Sequence, residues 1–372
     1  MRRMSWLKLV GCAGLAACAA LRAGAAEKPA DADTAKWSAT AAARFMDERE
    51  VWWQGWDHAK RDHGTFCLSC HTQAPYAMVR SMLREEMHEQ EPSQAEKAML
   101  ANLEKRVRAW DTMLPFYDDA TYGKGKEIES RNAVAVLNSI VLLSYDRFHV
   151  SELSKMALDH AWALQSKSGP DAGSWVWQNF HYAPWEGDES QYYWAALMAV
   201  AVGRAPENYV QSPAIVGNIS ALRTYLRTHM DQQPLVNKAA TLWAAARMQG
   251  LLTPAQKQKL AMEIFAAQNL DGGWSLAKMG PWKRRDGTPQ ETKSDGYATG
   301  LVTLALEDNH MKSSYVTRAL AWLGANQNAE TGAWPGWSVN KERDPQTGVG
   351  KFMQDAATGY AVLALKAAEP QY

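Results

Sequence analysis

Cysteine is scarce in this chain, with four residues among 372 and none beyond position 70. A zinc site built on a cysteine pair needs further ligands at metal spacing, and no downstream cysteine supplies one. The sequence around Cys67 and Cys70 also lacks the βαβ pattern expected of a thioredoxin-like dithiol. These absences argue against the zinc and dithiol interpretations of the CxxC pair.

Charge of one sign is not in excess, because 40 Lys and Arg balance 40 Asp and Glu. The basic residues are scattered and form no Lys- and Arg-rich helix face, so no nucleic-acid partner is expected. Alternation of apolar and polar residues is absent over any useful length, which argues against β-strands.

What is present is a CxxCH motif formed by Cys67, Cys70 and His71. Each thiol can add across a haem vinyl group, and the adjacent histidine then lies beneath the iron as its proximal ligand. The motif therefore predicts one covalent haem c, bound by Cys67 and Cys70, with His71 as the proximal iron ligand.

The motif leaves the distal iron ligand unknown. Electron-transfer cytochromes fill this position with Met or His, whereas an open position admits a small ligand. The candidates near the motif are His58, His63, Met78, Met82, Met87, His88, Met99 and Met113.

The N-terminus has the composition of an export signal. Basic residues precede an apolar, alanine-rich stretch from Leu9 to Ala20 and small residues up to Ala25. This pattern predicts a secretory signal peptide over residues 1–25, too short and too rich in small residues for a membrane span. In the alternative, Cys18 ends a lipobox-like segment and would be lipidated, which would attach the protein to a membrane. Both routes predict a periplasmic or exported protein, which is where c-type haem is attached.

The rest of the chain has helical periodicity, with Gly, Pro and Asp clusters between the periodic segments. Helices are predicted at about 37–53, 75–89, 94–112, 130–146, 151–166, 188–203, 213–229, 235–249, 254–268, 294–308, 312–326 and 353–368. Consecutive helices in a tandem array predict an all-α (α/α) toroid or solenoid. The predicted organisation is a signal peptide (1–25), an N-terminal helical haem-binding region (26–125) and toroid repeats (126–372).

An internal repeat is visible in the C-terminal part. Gln268 begins QNLDGGW and Gln327 begins QNAETGAW, and each segment is followed by an apolar ATG stretch, at Ala298 and at Ala357. Both pairs of motifs are offset by 59 residues, as expected of tandem structural units. A looser copy begins at Gln165.

These repeats resemble the QW motifs of the squalene–hopene cyclase and prenyltransferase repeat superfamily, over about residues 130–370. The resemblance implies a closed α/α barrel with a central apolar cavity. It also implies that Gln268, Trp274, Gln327 and Trp334 brace the outer helices and are not catalytic.

The catalytic motifs of that superfamily are absent. The sequence has no DxDD, whose central aspartic acid protonates the alkene in the terpene cyclases, and Asp118-Asp119 is the nearest acidic pair. A prenyltransferase-type zinc site would need a cysteine, but the two cysteines outside the signal segment belong to CxxCH. The thioester motif GCGEQ is also missing. Fold resemblance therefore does not supply a function, and the catalytic residues stay unknown.

Two further segments are candidates for binding. The aromatic insert Trp175–Trp185 could line an apolar pocket, pack against the haem edge or belong to the core. His181 and Asp188 could act in acid–base chemistry or simply be hydrogen-bonded. Arg284 and Arg285 could receive an anionic partner or the haem propionates, or could belong to a solvated loop.

Two functions follow from these observations. The first is an exported monohaem c-type cytochrome-like protein that acts with a periplasmic redox partner in electron transfer or haem-linked redox chemistry. The alternative is a squalene-cyclase-like enzyme, or a sensor, that binds a small apolar or isoprenoid ligand in an aromatic-lined cavity with an open haem site. A filled distal position favours the first, and an empty one favours the second.

Overall fold

The computed structural model describes residues 37–117, 121 and 125–369. The predicted signal peptide, Cys18 and Asp118-Asp119 lie outside the described residues. Within the described ranges, no helix combines the length and the apolar character needed to cross a bilayer.

The described residues are all-α apart from short 3₁₀ turns and one hairpin of two-residue strands, β1 (Lys60–Arg61) and β2 (Thr65–Phe66). The helices are α1 (Ala39–Gly55), α2 (Gln73–Glu86), α3 (Gln94–Arg108), α4 (Gly125–Leu143), α5 (Glu152–Leu164), α6 (Ser190–Arg204), α7 (Val216–His229), α8 (Leu235–Arg247), α9 (Pro254–Ala266), α10 (Gly296–Asp308), α11 (Ser314–Ala325) and α12 (Phe352–Ala368). The all-α prediction is confirmed. Each predicted helix coincides with an observed one, and the largest difference is α4, which starts at Gly125 and not near 130.

Local sequence signals explain where many helices begin. Ser93, Ser151 and Ser313 each accept a hydrogen bond from a backbone N–H of the first turn that follows. Thr253 does the same at α9 and forms a capping box with Gln256. These side chains satisfy N–H groups that have no partner inside the helix, which stabilises each start by about 1 kcal/mol.

The helices differ in how much of their surface is buried. In α6, α10 and α12 nearly every residue of the central turns is buried, whereas α7, α9 and α11 bury one narrow stripe. A helix that is apolar on all sides belongs in a protein interior, and a helix with one apolar stripe covers it.

The pairs of packed helices follow a regular order. Among the even-numbered helices, α2 packs against α4, α4 against α6, α6 against α8, α8 against α10, α10 against α12, and α12 against α2. The odd-numbered helices lie against these, with α5 on α4, α7 on α6, α9 on α8 and α11 on α10 and α12. The region around the CxxCH motif belongs to this array, because α2 contacts both α4 and α12.

The glutamine and tryptophan of each repeat make the same hydrogen bonds. The Gln268 amide donates to the carbonyls of Gly272 (2.7 Å) and Tyr315 (2.9 Å), and the Trp274 indole N–H donates to the carbonyl of Ile264 (2.8 Å). The glutamine thereby connects the end of α9 to the start of α11, and the tryptophan fastens its loop to α9.

The other two copies repeat this pattern. The partners are Gly332, Ser38 and Leu323 for Gln327 and Trp334, and Gly173, Asn218 and Ala161 for Gln165 and Trp175. The contact of Gln327 is notable because Ser38 caps α1, so the last repeat is hydrogen-bonded to the first helix.

A glycine in each loop allows this close approach. Gly332 has φ +83°, and a Cβ there would lie 2.2 Å from the carbonyl oxygen of Ala41 in α1. Gly173 has φ +99°, and its Cβ would lie 2.2 Å from the carbonyl oxygen of Ala221 in α7. A side chain at either position would strain the backbone and separate the loop from the helix that it contacts.

Candidate functional site

The CxxCH motif lies between β2 and the first turn of α2. Cys67 is half-buried, while Cys70 and His71 are buried. The backbone of Cys67 is held on both sides, because its N–H donates to the carbonyl of Ala59 (2.7 Å) and its carbonyl accepts from the Trp53 indole (2.9 Å). The motif is therefore attached to α1 and to the segment that follows α1.

The residues inside the motif cap the helix that follows. The Ser69 hydroxyl oxygen accepts from the backbone N–H groups of Thr72 (3.2 Å) and Gln73 (2.9 Å). The Gln73 side chain accepts from the Ser69 N–H (3.2 Å) and donates to Glu50 in α1 (2.6 Å). These bonds hold Cys70 and His71 just before the first turn of α2.

The hydrogen bonds of His71 determine which of its ring nitrogens is free. Its Nδ1 lies 3.0 Å from the Thr72 hydroxyl, and that hydroxyl donates its proton to Asp355 (2.7 Å). When Asp355 is ionised, Thr72 accepts from His71, and in that state Nδ1 carries the proton and Nε2 carries the lone pair. Burial lowers the pKa of His71 to about 3, which keeps the ring neutral. A neutral imidazole with its other nitrogen hydrogen-bonded is the form that binds a metal.

Asp355 completes this arrangement from α12. Burial raises the pKa of its carboxyl group to about 7, and Arg49, whose Nε lies 3.0 Å from the carboxylate, opposes the rise. Arg49 also donates to the side chain of Gln354 (2.9 Å). Residues of α1 and α12 thus hold the orientation of His71 through Thr72.

A cavity of about 170 Å³ adjoins Cys67, Cys70 and His71. Its walls are rich in aromatic side chains and come from α1, α4, α12, the region before α4 and the Trp175–Trp185 insert. The aromatic lining residues are Trp53, Trp56, Phe116, Tyr117, Trp177, Phe180 and Phe352. The aromatic insert therefore contributes to the same site as the CxxCH motif.

Aromatic rings surround the His71 imidazole. The Phe352 ring stacks on it at 3.5 Å with an interplanar angle of 15°, and the Trp53 ring meets it edge-on at 5.2 Å. Trp185 lies at 6.0 Å. These rings exclude water from the histidine and provide an apolar surface of the kind that a porphyrin face would contact.

Two arginines beside the motif lack partners for buried N–H groups. Arg106 is 1% exposed, donates only to Thr65 (2.9 Å), and has no hydrogen-bond partner for Nε or Nη2. Arg61 lines the cavity and has a buried Nε without a partner. Burial lowers the pKa of Arg106 to about 10, and no carboxylate of the described residues forms an ion pair with it. Such cations could hold the propionates of a haem.

The two thiols are free, and burial raises the pKa of both Cys67 and Cys70. A reactive dithiol requires the opposite shift, because the thiolate is the nucleophile. Within the described residues, no group of three or more His, Cys, Asp and Glu side chains is placed to hold a metal ion by itself. The residues present fit a covalent haem better than a zinc ion or an exchange-active dithiol.

Glu186 is the acidic group that lines the cavity. Its backbone pairs with Tyr182 in a short bridge, which fixes its position at the end of the aromatic insert. Desolvation raises the pKa of its carboxyl group to about 7, against the attraction of Lys126. This group could bind or release a proton near neutral pH beside the motif.

Of the eight side chains considered for the distal position, His58 is the one that lines this cavity among the described residues. Met78 and Met82 line a separate cavity of about 280 Å³ together with Leu197, Trp243 and Arg204. The candidate distal ligands, which the sequence could not rank, therefore lie at different places in the fold.

The other candidate residues named from the sequence do not line this cavity. His181 is exposed and 3.1 Å from Asp188. Arg284 donates to the backbone carbonyls of Ser338 and Pro289, and Arg285 to those of Phe180 and His181. Neither arginine lines the cavity, whereas Arg61 does, and Arg106 is buried close to Arg61 and Cys67. Arg106 was missed because nothing in its sequence neighbourhood distinguishes it from other helical arginines.

Comparison with known proteins adds no assignment. The sequence matches no protein-family model, and no curated protein is significantly similar to it.

Proposed function

We propose that this chain is an exported monohaem c-type cytochrome-like protein that transfers electrons in the periplasm. The observation that carries the proposal is the state of His71. Its Nδ1 lies 3.0 Å from the Thr72 hydroxyl, which bonds to Asp355, and its ring lines the cavity beside the two cysteines of the motif; with Nδ1 protonated, Nε2 would be available to the iron. Cys67 and Cys70 would attach the haem, and His71 would be the proximal ligand.

The bound haem would supply a one-electron couple, and the protein would supply its environment. Phe352, Trp53 and Trp185 exclude water from the proximal histidine. The Asp355 carboxylate increases the electron density on the imidazole through Thr72, which favours the oxidised state of a bound metal. Arg61 and Arg106 would neutralise the anionic edge of the haem.

Exposure of the site supports a role in electron transfer between proteins. His58 is exposed and Cys67 is half-buried, so the cavity reaches the surface on this side. A redox partner that docks here would approach the edge of the haem at which Cys67 is bonded. In this proposal the signal segment exports the chain, which is then soluble or is anchored through a lipidated Cys18.

We also propose that the helices form an (α/α) toroid like that of the squalene–hopene cyclase and prenyltransferase repeat superfamily. The cyclic order of contacts among the even-numbered helices supports an inner ring. Gln165, Gln268 and Gln327 each hydrogen-bond the next odd-numbered helix or its cap, as expected of an outer ring. The bond from Gln327 to Ser38 would close that ring.

The second cavity favours one alternative function, a sensor or enzyme that binds a small apolar ligand. This cavity is lined by Met78, Ile140, Leu197 and Trp243 and also by the charged residues Glu85, Asp146, Arg147 and Arg204, and its volume of about 280 Å³ lies just below the usual range for ligand sites, about 300–1,000 Å³. A ligand in this cavity would lie away from the haem, because the CxxCH motif and Glu186 line the first cavity.

The first experiment is expression of the full chain together with the c-type haem maturation machinery. The expected result is one covalent haem per chain, seen as a haem-stained band on a denaturing gel and as the mass of the purified protein. A variant with Cys67→Ala and Cys70→Ala is expected to keep its helical circular dichroism and to lose the covalent haem. A wild-type protein that folds and is exported without haem would contradict the proposal.

A further inference from the structure

We infer that His58 is the distal iron ligand, so that the haem is held between two histidines. The inference rests on the proposed function, because it assumes that the haem is attached at Cys67 and Cys70. It goes further by naming the sixth ligand, which the CxxCH motif leaves open.

His58 is the distal candidate on the wall of the same cavity as His71. Its ring stands 4.9 Å from the Trp56 ring, and Trp56 and Trp53 line the same cavity as the two histidines. Neither nitrogen of the His58 ring has a hydrogen-bond partner among the described residues. Its imidazole is therefore free to bind a metal.

The backbone keeps His58 close to the cysteines. The neighbouring residue, Ala59, accepts a hydrogen bond from the N–H of Cys67 (2.7 Å), and strands β1 and β2 continue this pairing through Arg61 and Thr65. The attachment point of the haem and His58 are thus held in register across one hairpin. His58 itself lies on a single 3₁₀ turn (Asp57–Ala59), so its side chain can adjust without unwinding a long helix.

The other candidates are occupied or placed elsewhere. Met99 and Met113 do not line the cavity, and the Met113 sulfur accepts a hydrogen bond from the Thr65 hydroxyl (3.8 Å). Met78 and Met82 face the second cavity. His63 lies outside the cavity lining, and its ring is 2.8 Å from the carboxylate of Asp62.

Met87 and His88 follow the last turn of α2, whereas the CxxCH motif precedes the first turn of that helix. A helix of 14 residues is about 21 Å long, which separates these two residues from the iron.

The test is optical and electron paramagnetic resonance spectroscopy of the haem-loaded full chain. The wild-type protein is expected to be low-spin when oxidised and not to bind carbon monoxide when reduced. His58→Ala is expected to convert the haem to a high-spin form that binds carbon monoxide, and added imidazole is expected to restore the low-spin spectrum. His58→Met is expected to remain six-coordinate with a higher reduction potential.

His63→Ala is the matched control, because it removes an exposed histidine from the same hairpin and is expected to leave the spectra unchanged. A wild-type haem that is high-spin and binds carbon monoxide would overturn the inference. A His58→Ala protein that stays low-spin would also overturn it. Failure of the proposed function is a different result, since the protein would then contain no covalent haem at all.

Discussion

Glu50 allows a quantitative test of how the CxxCH loop is supported. This residue of α1 is fully buried and accepts hydrogen bonds from Gln54 (2.8 Å) and Gln73 (2.6 Å), while its second carboxylate oxygen has no partner. Burial raises the pKa of Glu50 from 4.5 to about 7, and the two amide hydrogen bonds reduce the rise. The folded protein therefore holds a proton on Glu50 that the unfolded chain releases near pH 4.5.

The sign of the pH dependence follows from this difference. A carboxyl group with a raised pKa in the folded state contributes its full stability below pH 4.5, and this contribution is lost as the pH rises through about 7. A rise from 4.5 to about 7 corresponds to roughly 3 kcal/mol of unfolding free energy at about 1.36 kcal/mol per pKa unit. Glu50→Gln imitates the protonated form, so the variant is expected to lose this component of the pH dependence.

The assay is denaturant unfolding of the haem-loaded protein at pH 5 and pH 8.5. The wild type is expected to lose more stability between these values than Glu50→Gln, by about 2–3 kcal/mol. Glu48→Gln on the exposed face of the same helix is the control and is expected to follow the wild type. Parallel pH profiles for the wild type and Glu50→Gln would refute the reasoning, because Glu50 would then ionise equally in both states.

Two further predictions concern the histidine and the repeat loops. Asp355→Asn removes the charge that polarises His71 through Thr72, so the reduction potential of the haem is expected to rise, and Thr72→Val is expected to shift it in the same direction. Spectroelectrochemical titration measures both potentials. Potentials equal to that of the wild type would contradict a role for the hydrogen bonds from Asp355 through Thr72 to His71. Gly332→Ala adds a Cβ at φ +83° and 2.2 Å from the Ala41 carbonyl, so it is expected to destabilise the fold by more than about 2 kcal/mol. Gly287→Ala, at φ +75° with open space around it, is the control and is expected to cost only the backbone strain of about 1 kcal/mol, as measured by thermal unfolding. Equal losses for the two glycine variants would show that the contact with α1 does not hold the repeat.

Much of the secondary structure could be predicted from sequence because its signals are local. Apolar spacing within about fifteen residues predicted all twelve helices of the described residues. The region before α4 was predicted less well, because the first turn of that helix, near Lys126, is polar and has little helical periodicity.

The candidate site was predictable only in part. The CxxCH spacing named Cys67, Cys70 and His71, since covalent attachment to a haem depends on residues that are adjacent in the chain. Arg284 and Arg285 were candidates for anion binding, or for a solvated loop, because they cluster in one loop, whereas the arginines near the motif with unpaired buried N–H groups are Arg61 and Arg106. A cluster of arginines in the sequence shows where positive charge is concentrated. It does not show whether a side chain is buried or lacks a hydrogen-bond partner.

By itself, the sequence determined the helices, the repeat loops with their Gln and Trp residues, and the three residues of the CxxCH motif, because each of these depends on short-range periodicity or on neighbouring atoms. Only the tertiary structure decided what surrounds the motif. Asp355 reaches Thr72 across 283 positions, and Phe352 stacks on His71 from the same distant helix. Such pairs form because α12 packs against α2, and the free energy of that packing is spread over many side chains with no local signature.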